Sequence, residues 1–201
     1  AMKKHPLAAL SFAALMGFSF FAFAQKSPDD YYKYIHNDGE YSVMLPEAPR
    51  VKTIWAEAGN IPYLDSPPTE GAIGEIATFR RVDIAREDVF EVRITFLKAD
   101  KKFLENLTEE KMKESLIADY QNTPLENMRA GYSENATKTL KWATIGGFSI
   151  DKKTNRPYYN AEHYLSGKQS ILVVQVRYNV ENREFGEYYR KLSENITYQA
   201  M

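Results

Sequence analysis

The chain has 201 residues, 26 basic against 27 acidic side chains, 44% apolar residues and no cysteine. This composition fits one folded domain rather than a disordered tail, and the length supports a core that needs no metal or disulfide. The absence of cysteine excludes thiolate nucleophiles, Cys-ligated zinc, iron–sulfur clusters and covalent haem attachment, and no cofactor is expected.

Met2 is followed by Lys3 and Lys4, an apolar run over residues 7–23 and the small-x-small triplet Ala22-Phe23-Ala24. Charge, apolar stretch and small residues in this order predict a secretory signal peptide over residues 1–24. A membrane anchor is the alternative, because the run approaches the roughly 20 residues that a bilayer requires. The abrupt change to Lys26, Asp29 and Asp30 favours cleavage, and without cysteine there is no site for a lipoprotein anchor. Loss of the two lysines leaves 24 basic against 27 acidic residues, a net charge of −3. The expectation is a mildly acidic bacterial protein, periplasmic or secreted, with no basic stripe for nucleic acid and no stable membrane anchor. Sequons at Asn106, Asn135 and Asn195 matter only in a eukaryotic secretory pathway.

Residues 25–40 are polar and tyrosine-rich, punctuated by Pro28 and Gly39, and predict an N-terminal arm before a single domain over residues 41–201. Tyr41, Val43 and Leu45 alternate with Ser42 and Met44 until Pro46, and extended character returns at residues 51–55, so two strands joined by a proline turn are expected. Gly59, Pro62, Pro67, Pro68 and Gly71 mark a long loop over residues 57–71. Strands follow at residues 72–82 and 90–97; in the second, Phe90, Val92, Ile94 and Phe96 share one buried side.

Thr108 is placed to cap a helix that carries Glu109 and Glu110 in its first turn and Met112, Leu116, Ile117 and Tyr120 on one face. Residues 138–142 read as a short strand leading to Gly146-Gly147, residues 148–151 as extended and 152–157 as a turn. Residues 158–165 and 169–178, joined by Ser166-Gly167-Lys168, form a β-hairpin. Its second arm, Ile171-Leu172-Val173-Val174, is apolar on both faces and belongs in the middle of a sheet. Asn182 caps a final helix with Phe185, Tyr188, Tyr189, Leu192 and Ile196 at helical spacing, placed across the sheet. Together these elements predict an α+β fold with one antiparallel sheet packed between helices.

Three stretches carry a family resemblance: Gly39-Glu40-Tyr41-Ser42-Val43-Met44-Leu45-Pro46-Glu47-Ala48-Pro49, Ile145-Gly146-Gly147-Phe148, and Tyr164-Leu165-Ser166-Gly167-Lys168 running into a Val-rich strand. They resemble bacterial exported proteins of the Mog1/PsbP-like group. The resemblance implies an α-β-α sandwich and an adaptor or accessory role. It carries over no catalytic residue, because the matching positions are strand, turn and glycine positions.

The residues themselves offer little chemistry. His5 lies in the segment to be removed, which leaves His36 and His163, too few for a three-histidine metal site. His163 shares a strand face with Tyr159 and Ala161 while Glu162 points the other way, and a hydrogen-bonded or surface imidazole is expected over a catalytic base. No Gly-x-Ser-x-Gly sequence accompanies Ser149 or Ser166, and Gly71-Ala72-Ile73-Gly74 lacks the pattern that cradles phosphate. Asp100 with Lys101 and Lys102, and Glu109 with Glu110, read as solvated or helix-end charges. Fourteen tyrosines stand out. Tyr63, and Tyr158 and Tyr159 beside Arg156, are the candidate contacts for a ligand or partner, against the plainer reading that strand tyrosines finish a sheet edge. The function expected is a non-enzymatic binding or accessory module that contacts a protein in the bacterial envelope. The alternatives are a small-ligand carrier with an aromatic pocket and a hydrolase based on carboxylates or His163.

Overall fold

A computed structural model describes residues 31–35, 40–55, 72–137 and 139–199. The proposed signal peptide and the loop bearing Tyr63 lie outside them, as does His36. Ten strands and three helices follow in chain order: β1 (Tyr32–Ile35), β2 (Tyr41–Leu45), β3 (Arg50–Trp55), β4 (Ala72–Asp83), β5 (Asp88–Lys98), α1 (Lys101–Glu105), α2 (Glu109–Asp119), β6 (Glu126–Glu134), β7 (Lys141–Ile150), β8 (Pro157–Ser166), β9 (Ser170–Asn179), α3 (Arg183–Glu194) and β10 (Thr197–Tyr198).

Seven strands form the main sheet in the order β3-β4-β5-β9-β8-β7-β6, and β1-β2-β10 form a second sheet. Every pairing is antiparallel. The main sheet consists of two meanders, β3-β4-β5 and β6-β7-β8-β9, that meet along β5 and β9 in a register running from Phe90↔Tyr178 to Lys98↔Ser170. The strand apolar on both sides, β9, is the central one, where each face can be covered. At the hairpin before it, the Gly167 amide donates to the Ser170 carbonyl at 2.9 Å.

One face of the main sheet presents Phe90, Val92, Ile94 and Phe96 from β5 with Leu172, Val174 and Val176 from β9. Against it pack both the second sheet, through Tyr34, Tyr41, Val43 and Leu45, and α3, through Phe185 and Leu192. Tyr34 also donates a hydrogen bond to the buried Glu75 carboxylate of β4, which ties the two sheets together. The opposite face holds a smaller core in which Leu104, Leu107, Met112 and Leu116 of the α1–α2 segment meet Ala143, Ile145, Tyr164, Ile171 and Val173. The caps expected from the sequence are present: Thr108 Oγ1 accepts from the Lys111 amide at 3.4 Å and Asn182 Oδ1 from the Phe185 amide at 3.3 Å.

The expected α+β sandwich, one sheet packed between helices, is not what forms. The described residues are 53% strand and 19% helix, with two sheets and three short helices. Two physical causes account for the difference. First, β2 and β3 do not pair with each other across the Pro46 turn; β2 joins β1 and β10, so that a sheet occupies much of the layer assigned to helices. Second, the α1–α2 segment packs on β7, β8 and the Leu97 end of β5, and most of that face over β3, β4 and β5 has no helical cover among the described residues.

Candidate functional site

Among the described residues, this half of the sheet is a broad, open depression of about 790 Å³. Antiparallel pairing aligns side chains into transverse rows on this face. Arg50, Thr78, Arg93, Gln175 and Glu162 form one row across β3, β4, β5, β9 and β8. Arg80, Glu91, Arg177 and Asn160 form the next. The four strands β3, β4, β5 and β9, at about 4.8 Å spacing, make a surface roughly 14 Å wide, and the β8 members of the rows, Glu162 and Asn160, are buried at its inner margin.

Its charges fall into paired and available groups. Arg80 pairs with Glu91 at 3.0 Å. Arg177 pairs with Asp151 at 2.7 Å and lies over the Tyr158 ring at 3.9 Å. Asp151 is held down to about 2, first by the Thr154 amide and also by Arg177. Among the described residues no carboxylate stands within ion-pair distance of Arg50 or Arg93, although Arg93 is close enough to the α2 terminus to favour the charged form of Asp119.

At the edge of this depression two carboxyls meet. Glu162, fully buried on β8, faces Asp119 at the last position of α2. Gln175 Nε2 donates to Glu162 Oε2 at 3.1 Å, whereas Glu162 Oε1 and Asp119 Oδ1 find no other donor. Two such groups cannot both ionise out of water, and a shared proton satisfies both oxygens. Burial, then the charge of Asp119, pushes Glu162 well above the usual carboxylate range, and burial raises Asp119 as well. Tyr120, at the end of the same helix, is also raised by burial and by Glu162.

The α3 face holds a different group. Tyr159, Tyr178 and Tyr189 form a triangle of rings 5.4 to 5.8 Å apart, and Phe148 lies 5.3 Å from Tyr159. His163 stands 6.3 Å from Tyr189 and 5.9 Å from Trp142, and is 7% exposed. Neither of its nitrogens has a hydrogen-bond partner among the described residues, so no serine or acid is placed to act with it. Burial lowers its pKa to about 4 and keeps the imidazole neutral at pH 7.

The residues singled out from sequence are not gathered into one groove. Arg156, in the β7–β8 turn, donates through Nη1 to the buried Asp88 carboxylate at 2.6 Å, which also accepts from Asn179 Nδ2 at 2.6 Å. Tyr158 and Tyr159, adjacent on β8, point to opposite faces: one lies beneath Arg177 and the other joins the ring triangle. Tyr63 is outside the described residues. Sequence reasoning missed the arginine row, which is assembled by register between strands as distant in the chain as those of Arg93 and Gln175, and the carboxyl pair, which forms where the end of α2 meets β8. Among the described residues no group of three or more His, Cys, Asp or Glu could hold a metal ion, and no helix is long and apolar enough to cross a membrane. No protein-family model matches this sequence, and no curated protein matches it.

Proposed function

We propose that this chain is an exported, non-enzymatic binding module of the bacterial envelope that grips an acidic surface of a partner protein on the open half of its main sheet. The observation that carries this reading is the cross-strand row in which Arg50 and Arg93 have no ion-pair partner among the described residues, in a depression that also holds Arg80 and Arg177. A chain with a net charge of −3 after loss of its first 24 residues nonetheless concentrates guanidinium groups on one concave face, and such a field attracts and orients acidic partners. Arginine is suited to this task because its planar fork matches carboxylates in pairs. A surface that spans β3, β4, β5 and β9 and is open to solvent fits a protein better than a metabolite, which requires enclosure. Export is supported by Lys3, Lys4, the apolar run and Ala22-Phe23-Ala24. The accessory role is supported by the resemblance of the stretches around Tyr41, Gly146 and Tyr164 to Mog1/PsbP-like proteins.

The test uses hexaglutamate as an acidic probe, titrated into the mature chain and followed by amide shifts in NMR spectra at low and physiological salt. Shifts centred on Arg50, Thr78, Arg93 and Gln175, weakening with salt and abolished in an R50E/R93E double variant that keeps its fold, support the reading. Shifts scattered over the surface, or none, overturn it.

A further inference from the structure

The carboxyl pair is joined to the arginine depression through the end of α2. Helix α2 is anchored on the sheet by Met112 and Leu116, which are buried, whereas Ile117 in its last turn and residues 121–124 beyond it are exposed. It packs on β7 and more lightly on β8. The seating of its end therefore depends on what Asp119 and Tyr120 meet there. Tyr120 lines the depression together with Arg93, Gln175 and Asn160. Asp119 meets Glu162, and the two acids can remain in contact only while a proton lies between them.

The geometry of that contact leaves no substitute for the proton. Glu162 Oε1 and Asp119 Oδ1 are both shut off from water without another donor, while Glu162 Oε2 already accepts from Gln175. Asp119 stands at the C-terminal end of its helix, where the last carbonyls carry partial negative charge and no basic residue lies in the final turn. Around the pair, β7 presents Ile145, β9 the neutral Gln175 amide, α2 the Tyr120 phenol and β5 Arg93. Among the described residues Arg93 is the cation that acts on the pair, and it acts on Asp119. Glu162, the fully buried member, holds the proton and donates it to Asp119, since burial penalises its charge most.

Loss of the proton reverses the balance. Two unscreened carboxylates repel, and they differ in freedom to move. Glu162 is fixed in the middle of β8, between β7 and β9. Asp119 is partly exposed on a helix end with little buried anchorage, and the cation already acting on it has no ion-pair partner among the described residues. We propose that the Asp119–Glu162 contact is a proton-dependent latch: while the proton is shared, the end of α2 stays docked on β8 and Arg93 is open to an acidic partner; when it is lost, Asp119 swings onto Arg93 and carries Tyr120 over the row. The change releases one proton to solvent, admits water to Glu162 and alters no other covalent bond. Its effect on partner binding rests on the proposed function; the movement of the helix end does not.

The experiment follows the mature chain, labelled with ¹³C and ¹⁵N, by carbon-detected NMR from pH 5 to 9. The expected result is that the side-chain carboxyl carbons of Glu162 and Asp119 report one shared proton released above about pH 6. The backbone carbonyl carbons of residues 117–121 and the Arg93 Cζ shift with the same midpoint. In E162Q, and separately in D119N, the helix end and Arg93 no longer move with pH, and either variant suffices should the other fail to fold. Hexaglutamate with an acetylated amino end, whose charge is constant over most of this range, binds wild type about fivefold more weakly above the midpoint than below it, whereas its affinity for D119N stays level. Carboxyl carbons that titrate independently in the ordinary range, no transition by pH 9, a transition that leaves residues 117–121 and Arg93 in place, or equal affinity for the probe on both sides of the midpoint overturns the latch. The expected transition with no binding of the probe at either pH upholds the latch and overturns the proposed function.

Discussion

Arg156 shows how a residue that reads as a contact can be committed elsewhere. Its guanidinium holds Asp88, 2% exposed, together with Asn179. Replacing it with alanine leaves a buried carboxylate short of its cation, and R156A should lower the urea midpoint of unfolding relative to wild type. An unchanged midpoint would instead leave Arg156 free for a partner. The two faces of β8 also set opposite pH dependences. His163, depressed to about 4 by burial, binds a proton more readily unfolded, so its neutral burial contributes fully above pH 6.5 and that contribution is lost as pH falls through 4. Compared with wild type, H163F should therefore gain on the order of 3 kcal/mol between pH 7 and pH 3.5. Glu162 has the opposite sign. Its raised pKa means the native state holds the extra proton, so its contribution is complete below the ordinary glutamate value and declines as pH rises through the native one. Urea midpoints for E162Q should rise relative to wild type from pH 5 to 8; parallel curves for the two proteins would show that no proton is shared with Asp119.

At the scale of elements, the sequence revealed those whose periodicity reports burial. Strand β5 alternates as expected, with Phe90, Val92, Ile94 and Phe96 buried, and both longer helices begin at the caps their sequences announce. The strands that escaped notice are those whose side chains are not sorted by burial. Strand β6, Glu-Asn-Met-Arg-Ala-Gly-Tyr-Ser-Glu, is exposed along most of its length because it ends the sheet, and β1 lies in a tyrosine-rich stretch that reads as an arm. The pieces read from sequence as 138–142 and 148–151 overlap the two ends of a single strand, β7 (Lys141–Ile150), whose paired glycines lie within the strand rather than in a turn. Gly74 is a strand position as well: a Cβ there would lie 2.1 Å from the Phe96 carbonyl oxygen, opposite a register irregularity at Ile54 and Trp55. G74A should consequently part β4 from β5 and cost 2 kcal/mol or so, by analogy with other overpacked sites. Hydrogen exchange then provides a map of the difference between edge and centre. Amides of β9 and β5 should exchange most slowly and those of β6 fastest, and uniform protection across the sheet would contradict this gradient.

For the molecule as a whole, the candidate sites exist only because distant segments come into register. The carboxyl pair needs α2 beside β8, and the guanidinium row needs all three strands of the first meander aligned with the second. Neither arrangement has a local motif, which is why binding surfaces of this kind are invisible to a reading of short patterns. The seam between β5 and β9 joins positions such as Phe90 and Tyr178. Closing so large a loop carries an entropic cost before any contact across it is rewarded, and places this chain among proteins that fold in milliseconds to seconds. Each meander can assemble from neighbouring hairpins, yet each retains an unsatisfied margin until they meet. During that interval the bare backbone of β9, with its run of Ile171 to Val174, is the segment most open to self-association, and slow annealing of the two halves sets the window in which a chaperone would matter.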